Sequence, residues 1–194
     1  MQLLAAAVLL SIPFVAARAQ SAGPGPYEPA GARVAVLDVA LYNAQANVRE
    51  ATDSAKADLA TEILHSTLAR LLPHQLADRT ALDAARRSPA AREAAAGHRC
   101  DVILACARAV ASAVDARWVV LAKVSKTSNL IWLLTAQLVH VPSGTVVLDD
   151  STELKGEPEA MVRAGTRIFA ERVARTVLAG GVTTNFPQVS SDGR

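Results

Sequence analysis

Aromatic residues make up only 4% of this 194-residue sequence, so its 51% of hydrophobic residues must form a core from small and branched side chains. That composition excludes a disordered or fibrous chain and fits ordinary globular burial. An excess of one charge is also lacking: the formal net charge is +2, with basic residues scattered along the chain. No field gathers nucleic acid, so nucleic-acid binding is disfavoured. Cysteine is nearly absent, occurring only at Cys100 and Cys106. The lack of a cysteine before Cys100 excludes lipid attachment at a signal-peptidase cysteine, and no second close-spaced pair completes a zinc site. There is no Gly-rich phosphate loop, no serine nucleophile elbow and no two-histidine helical spacing of a hydrolytic zinc site. His65, His74, His98 and His140 are isolated, and nothing in the sequence pairs Asp38, Asp78, Asp149 or Asp150. No catalytic residue, metal site or cofactor is assigned.

What is present begins with Leu3 to Leu10, an apolar run broken by Ser11 and Pro13, then Ala17-Arg18-Ala19 as a small-x-small site before Gln20. This is a signal-peptide layout, and the run is shorter than the roughly 20 residues of a spanning helix. The expectation is a cleaved signal peptide at 1–19, a periplasmic location and no transmembrane span after cleavage. Gly23-Pro24-Gly25-Pro26, Pro29 and Gly31 make 20–32 a flexible leader. Residues 33–178 then form a single domain, and 179–194, without pattern, a flexible tail.

Within the domain, Arg33 to Leu41 is a nearly continuous apolar run interrupted by Asp38, which suits a central strand. Leu59, Ile63, Leu64, Leu68, Leu71 and Leu72 fall on helical spacing before Pro73. A short strand is expected at 74–78 and a short helix capped by Thr80 over 81–87; the Ala-rich segment 88–99 is open between helix and loop. Asp101 is read as the cap of a helix carrying Ile103, Cys106, Val110 and Val114. Strands follow at 118–124, 130–141 and 145–148, the last two joined by Pro142-Ser143-Gly144, and a final helix spans 157–178. The fold class is therefore α/β (α+β), a mixed sheet of four to five strands ending in a β-meander with helices packed on it.

Two cysteines in an oxidising compartment favour a disulfide. Six residues of continuous helix span about 9 Å, beyond the roughly 7 Å limit between bonded Cα atoms. Cys100 must then sit ahead of the helix that holds Cys106; the rival reading is a buried Cys106 and a separate thiol at Cys100. The polar block Lys126-Thr127-Ser128-Asn129 between apolar strands reads either as a tight turn or as an anion or peptide-carboxylate site built from Lys126, Ser128 and Asn129.

The order of motifs resembles an uncharacterised family of bacterial periplasmic domains, related in outline to TolB amino-terminal-like and curli-secretion-lipoprotein folds. The likeness rests on Val34-Ala35-Val36-Leu37-Asp38, on Cys106 four residues before Val110, on Ala116-Arg117-Trp118-Val119-Val120 and on Lys126-Thr127-Ser128-Asn129-Leu130-Ile131. The chain departs from the family pattern at Ala122, where the family has Gly. It departs again at Ala160-Met161-Val162-Arg163-Ala164, where only Arg163 of a Ser-Trp-x-Arg-Gly pattern survives. The resemblance implies a non-enzymatic accessory or binding protein of the cell envelope, some members accompanying periplasmic alcohol oxidation. Candidate binding residues are Lys126, Ser128, Asn129 and Arg163, with a protein or envelope component as partner. Two other classes remain open. One is a small hydrolase joining Asp38, Lys126 and Ser128; the other is a small-ligand binder with an apolar pocket.

Overall fold

The computed structural model describes residues 28, 31–43, 50, 52–128 and 131–181. The expected signal peptide, most of the leader, Asn129, Leu130 and the tail from 182 lie outside the described residues.

The apolar run at 33–41, expected as one strand, is split at Asp38 into β1 (Val34–Val36) and β2 (Ala40–Asn43). Continuing straight would carry the Asp38 carboxylate into the covered part of the sheet. Instead the chain bulges: Val36 pairs with Val120 but Ala40 with Lys123, so four steps of this chain run beside three of its neighbour. Asp38 turns outward to Arg79 and Arg86, each at 3.2 Å. The Val39 N–H, displaced from the ladder, donates to Thr61 Oγ1 at 2.9 Å.

Helix α1 (Asp53–Leu71) follows, then α2 (Arg79–Arg86), α3 (Pro89–Ala95) and α4 (Leu104–Ala113). The segment at 74–78 is reduced to one bridge between Leu76 and Val34, because Asp78 already begins α2. Its side chain accepts the Ala81 N–H at 2.9 Å, so Asp78 and not Thr80 is the cap. The Ala-rich segment is helical where Ser88 caps it and Pro89 opens it. Asp101, expected to cap the next helix, pairs with Arg99 instead; α4 starts after Ile103 with no side-chain cap. The Cys100–Cys106 disulfide, with Cα atoms 5.0 Å apart, ties that uncapped end to the preceding loop.

Strands β3 (Trp118–Lys126), β4 (Ile131–His140) and β5 (Val146–Lys155) form the meander, and α5 (Pro158–Leu178) ends the domain. The sheet order is β1-β3-β4-β5, with β2 continuing beside β3; β1 and β2 run parallel to β3, while β4 and β5 are antiparallel. This is a single α/β domain with a mixed five-stranded open sheet, as expected. Strand β5 is longer than the expected 145–148 because pairing with β4 carries it on to Lys155, past an Asp149-Asp150-Ser151 stretch with no apolar alternation.

Alternation along β3 sends its side chains to two cores. Trp118, Val120, Ala122 and Val124 join Leu64 and Leu68 of α1 and Phe169, Val173 and Val177 of α5. Val119 and Leu121 join Cys106 and Val110 of α4 and the small residues of α2 and α3. The second core covers only the end of the sheet near Trp118. Beyond it Lys123, Leu133, Thr135 and Gln137 are partly exposed, and Tyr42, Ile131, Asp149, Ser151 and Glu153 are exposed.

Candidate functional site

Lys126 ends β3 on the face that α1 covers, and it is only 2% exposed. Its ammonium donates to both carboxylate oxygens of Asp53 at 3.2 Å and to Glu50 Oε1 at 3.1 Å, over the Trp132 ring. Burial pushes this ammonium down, but the hydrogen bonds to Glu50 and Asp53 outweigh it and hold Lys126 above the ordinary lysine range. It is a cation already supplied with two internal anions. Asp53, itself buried, also accepts the Glu50 N–H at 2.8 Å. Ser128 Oγ accepts the Ile131 N–H at 3.1 Å, and Thr127 Oγ1 donates to Ile131 O at 2.9 Å. Thr127 and Ser128 thus bond their hydroxyls to the backbone of Ile131. Asn129 lies outside the described residues, and Arg163 is exposed on α5. The structure brings Lys126 and Ser128 to one end of the sheet but turns the Lys126 charge inward.

Asp38 belongs to a different place. Besides Arg79 and Arg86 it faces His65 Nε2 at 3.9 Å. Asp53 and His65 are twelve residues apart on α1, which separates the Lys126 and Asp38 clusters by about 18 Å. Asp38, Lys126 and Ser128 do not converge, so the hydrolase built on them is not formed.

A third cluster was invisible in the sequence. Glu28, in the segment read as a leader, is only 5% exposed. Its carboxylate receives Arg117 at 2.7 Å and His140 Nε2 at 2.6 Å, while His140 Nδ1 meets Ser143 Oγ at 2.8 Å. The Arg117 hydrogen bonds, against burial, hold Glu28 below the usual glutamate range. The only hint in the sequence was an acid inside a Pro/Gly-rich stretch.

Among the described residues, the sheet face beyond α4 and the outer margin of β5 have no element packed on them. Between β5 and α5 lies a cleft of about 300 Å³ of mixed lining, in which Ile168 and Thr152 are exposed, Asp150 pairs with Arg172, and Leu134 and Phe169 are buried. Among the described residues, no three His, Cys, Asp or Glu side chains gather to hold a metal ion, and no helix is long and apolar enough to cross a membrane.

Fold and clusters together define a single-domain mixed α/β protein whose charged groups chiefly tie its own elements together. More particularly, the chain belongs to the DUF3280 family, described as a protein of unknown function (DUF2380), whose pattern matches residues 32–173. This agrees with the uncharacterised family that the motifs resemble. No curated protein is significantly similar to the chain in sequence. Solved structures of similar outline include the LpoB C-terminal domain from Escherichia coli, at 21% identity and TM-score 0.46 over 66% of this chain and 84% of that one. PelC from Paraburkholderia phytofirmans, a dodecamer, is similar at 18% identity and TM-score 0.42 over 83% and 95%. TolB from Acinetobacter baumannii is similar at 13% identity and TM-score 0.42 over 80% of this chain and 30% of that one.

Proposed function

We propose that this protein is exported to the periplasm and serves there as a non-enzymatic accessory protein that holds another protein of the cell envelope. The observation that supports the reading is the asymmetric cover of the sheet: α1 and α5 cover one face, whereas α2 to α4 cover half of the other and leave a long edge strand beside it. A sheet face bearing Tyr42, which is 53% exposed, and Ile131, which is 39% exposed, fits contact with a macromolecule better than a closed small-molecule site.

Cross-linking of the native protein in its periplasm, followed by mass spectrometry of the joined residues, tests this. A reproducible envelope protein joined through β3, β4 or β5 is the expected result; no partner above background would overturn the reading. The finer role, service to a periplasmic alcohol-oxidising system, requires that partner to belong to such a system, and any other partner removes it. Export is checked by amino-terminal sequencing of the periplasmic protein. The expected first residue is Gln20, and retention of residues 1–19 would overturn cleavage.

A further inference from the structure

We propose that Cys100 and Cys106 form a thiol–disulfide exchange site with fixed roles, Cys100 as the sulfur that an external disulfide meets and Cys106 as the buried resolving sulfur. Closing the bond sets the loop that walls a groove on the open sheet face, so the redox state of the pair governs that face.

The two sulfurs stand in unlike places. Cys106 is wholly buried at the third position of α4 among Ala91, Ala107 and Val110, and its Sγ lies 3.0 Å from Ala91 O. With no surface of its own, it is reached only where packing opens. Cys100 lies in the loop ahead of α4 and is partly exposed. In the reduced protein the Cys106 thiol keeps the Ala91 carbonyl as acceptor, so the buried member has a place in both states. It also stands in the first turn of a helix end that no side chain caps, where free amides favour a thiolate.

Exchange then has one order. The Cys100 thiolate attacks an external disulfide RS–SR, forming Cys100–S–S–R and releasing RS⁻. The Cys106 thiolate attacks Cys100 Sγ, closes the internal bond and expels the second RS⁻. The pair loses two electrons and two protons, and RS–SR takes up both to leave as two thiols. Opening by an external thiol retraces these steps, with Cys106 as the leaving thiolate.

The bond holds the loop at 96–103. That loop starts through left-handed Ala96 and Gly97. Among the described residues the hydrogen bonds of 98–102 stay local: the His98 N–H donates to Ala95 O, the Val102 N–H to Arg99 O, and Arg99 pairs with Asp101. Apart from packing and chain continuity, the disulfide is what ties this loop to α4. Asp101 and Val102 line a groove with Leu121, Lys123, Thr135 and Gln137 on the sheet face beyond α4. This is the face proposed above to meet a partner, and there the inference rests on that reading; the exchange itself does not.

The first test compares the two sulfurs in the folded, reduced wild-type protein. Limiting iodoacetamide should label Cys100 roughly tenfold or more ahead of Cys106, and the difference should vanish in denaturant. Cys106→Ser, whose hydroxyl keeps Ala91 O as acceptor, should take up glutathione from oxidised glutathione at Cys100, whereas Cys100→Ser should resist it at Cys106. Equal labelling in the folded wild-type protein, or labelling of Cys106 first, would overturn the assigned roles even where a variant does not fold.

The second test reads the loop by trypsin cleavage after Arg99, comparing the oxidised protein with wild-type protein alkylated at Cys100. Cleavage there should be roughly tenfold or more faster in the alkylated protein, while cleavage after Arg92 in α3 and Arg108 in α4 stays slow. An unchanged rate after Arg99 would mean that packing alone fixes the wall. Acceleration at all three sites would mean that the bond holds the whole helical layer; either result overturns control of the face. Failure of native cross-linking to find a partner overturns the accessory reading and leaves the sulfur roles standing.

Discussion

His65 lies half-enclosed between α1 and the Asp38 cluster, and burial, followed by the nearby Arg79, holds its imidazole below the ordinary histidine range. The unfolded chain takes up this proton near pH 6.5, the folded chain only at lower pH. The stability this difference contributes is fully present above about pH 6.5 and is lost as pH falls through the folded value. Urea midpoints should therefore decline from neutral towards pH 5, and His65→Asn should flatten that decline; an unchanged slope would remove the assignment. Glu28 acts with the same sign further into acid. Arg117 holds its carboxyl low, so its contribution is present above about pH 4.3 and fades below it, and Glu28→Gln should flatten only that limb. At the buried Lys126–Asp53 pair, Lys126→Met strands the Asp53 carboxylate and Asp53→Leu leaves Lys126 only the exposed Glu50 as partner, so each should destabilise. The double variant should be more stable than either single one, as chemical denaturation of the four proteins would show. A Lys126 was legible as notable among apolar strands, but its partners, 73 and 76 residues away, were not.

The disulfide is the constraint that stands in for a cap at the start of α4. Closing so short a loop is worth about 2 kcal/mol, so a Cys100→Ala, Cys106→Ala variant should lose about that much in denaturant unfolding. Ser88→Ala should cost about 1 kcal/mol by removing the Ala91 N–H partner at the start of α3. Helices α1 and α5 and strand β4 were readable because one face of each is apolar, and β3 because both of its faces are, which makes a continuous apolar run. Elements without such a pattern were misjudged. The helix start at Asp78 depends on which of several nearby polar side chains reaches an amide, and composition does not rank them; the start after Ile103 has no side-chain cap and is held by the disulfide. Strand β5 outruns its apolar part because β4 supplies its backbone partners.

For the whole molecule, unequal cover of the sheet should govern local stability. Amide exchange in the free protein should be slowest in β3, which lies between β1 and β2 on one side and β4 on the other, and fastest among the long strands in β5. Equal protection of β3 and β5 without a partner would mean that the edge is already covered. The sequence by itself determined the α/β class, the meander and the ends of the apolar elements, because burial imposes a period of two or 3.6 that can be read one residue at a time. The run at 33–41 was legible as apolar with Asp38 inside it, but its split into two strands was not, because only the layer packed on the sheet makes a carboxylate at that position costly. Tertiary structure alone decided that Lys126 is an internally paired cation, that Asp38 is held far from it, that Glu28 docks onto His140 and Arg117, and that β5 borders a cleft beside α5. Each of these joins residues distant in the chain, and pairings of that kind are set by how the layers pack, which no local pattern encodes.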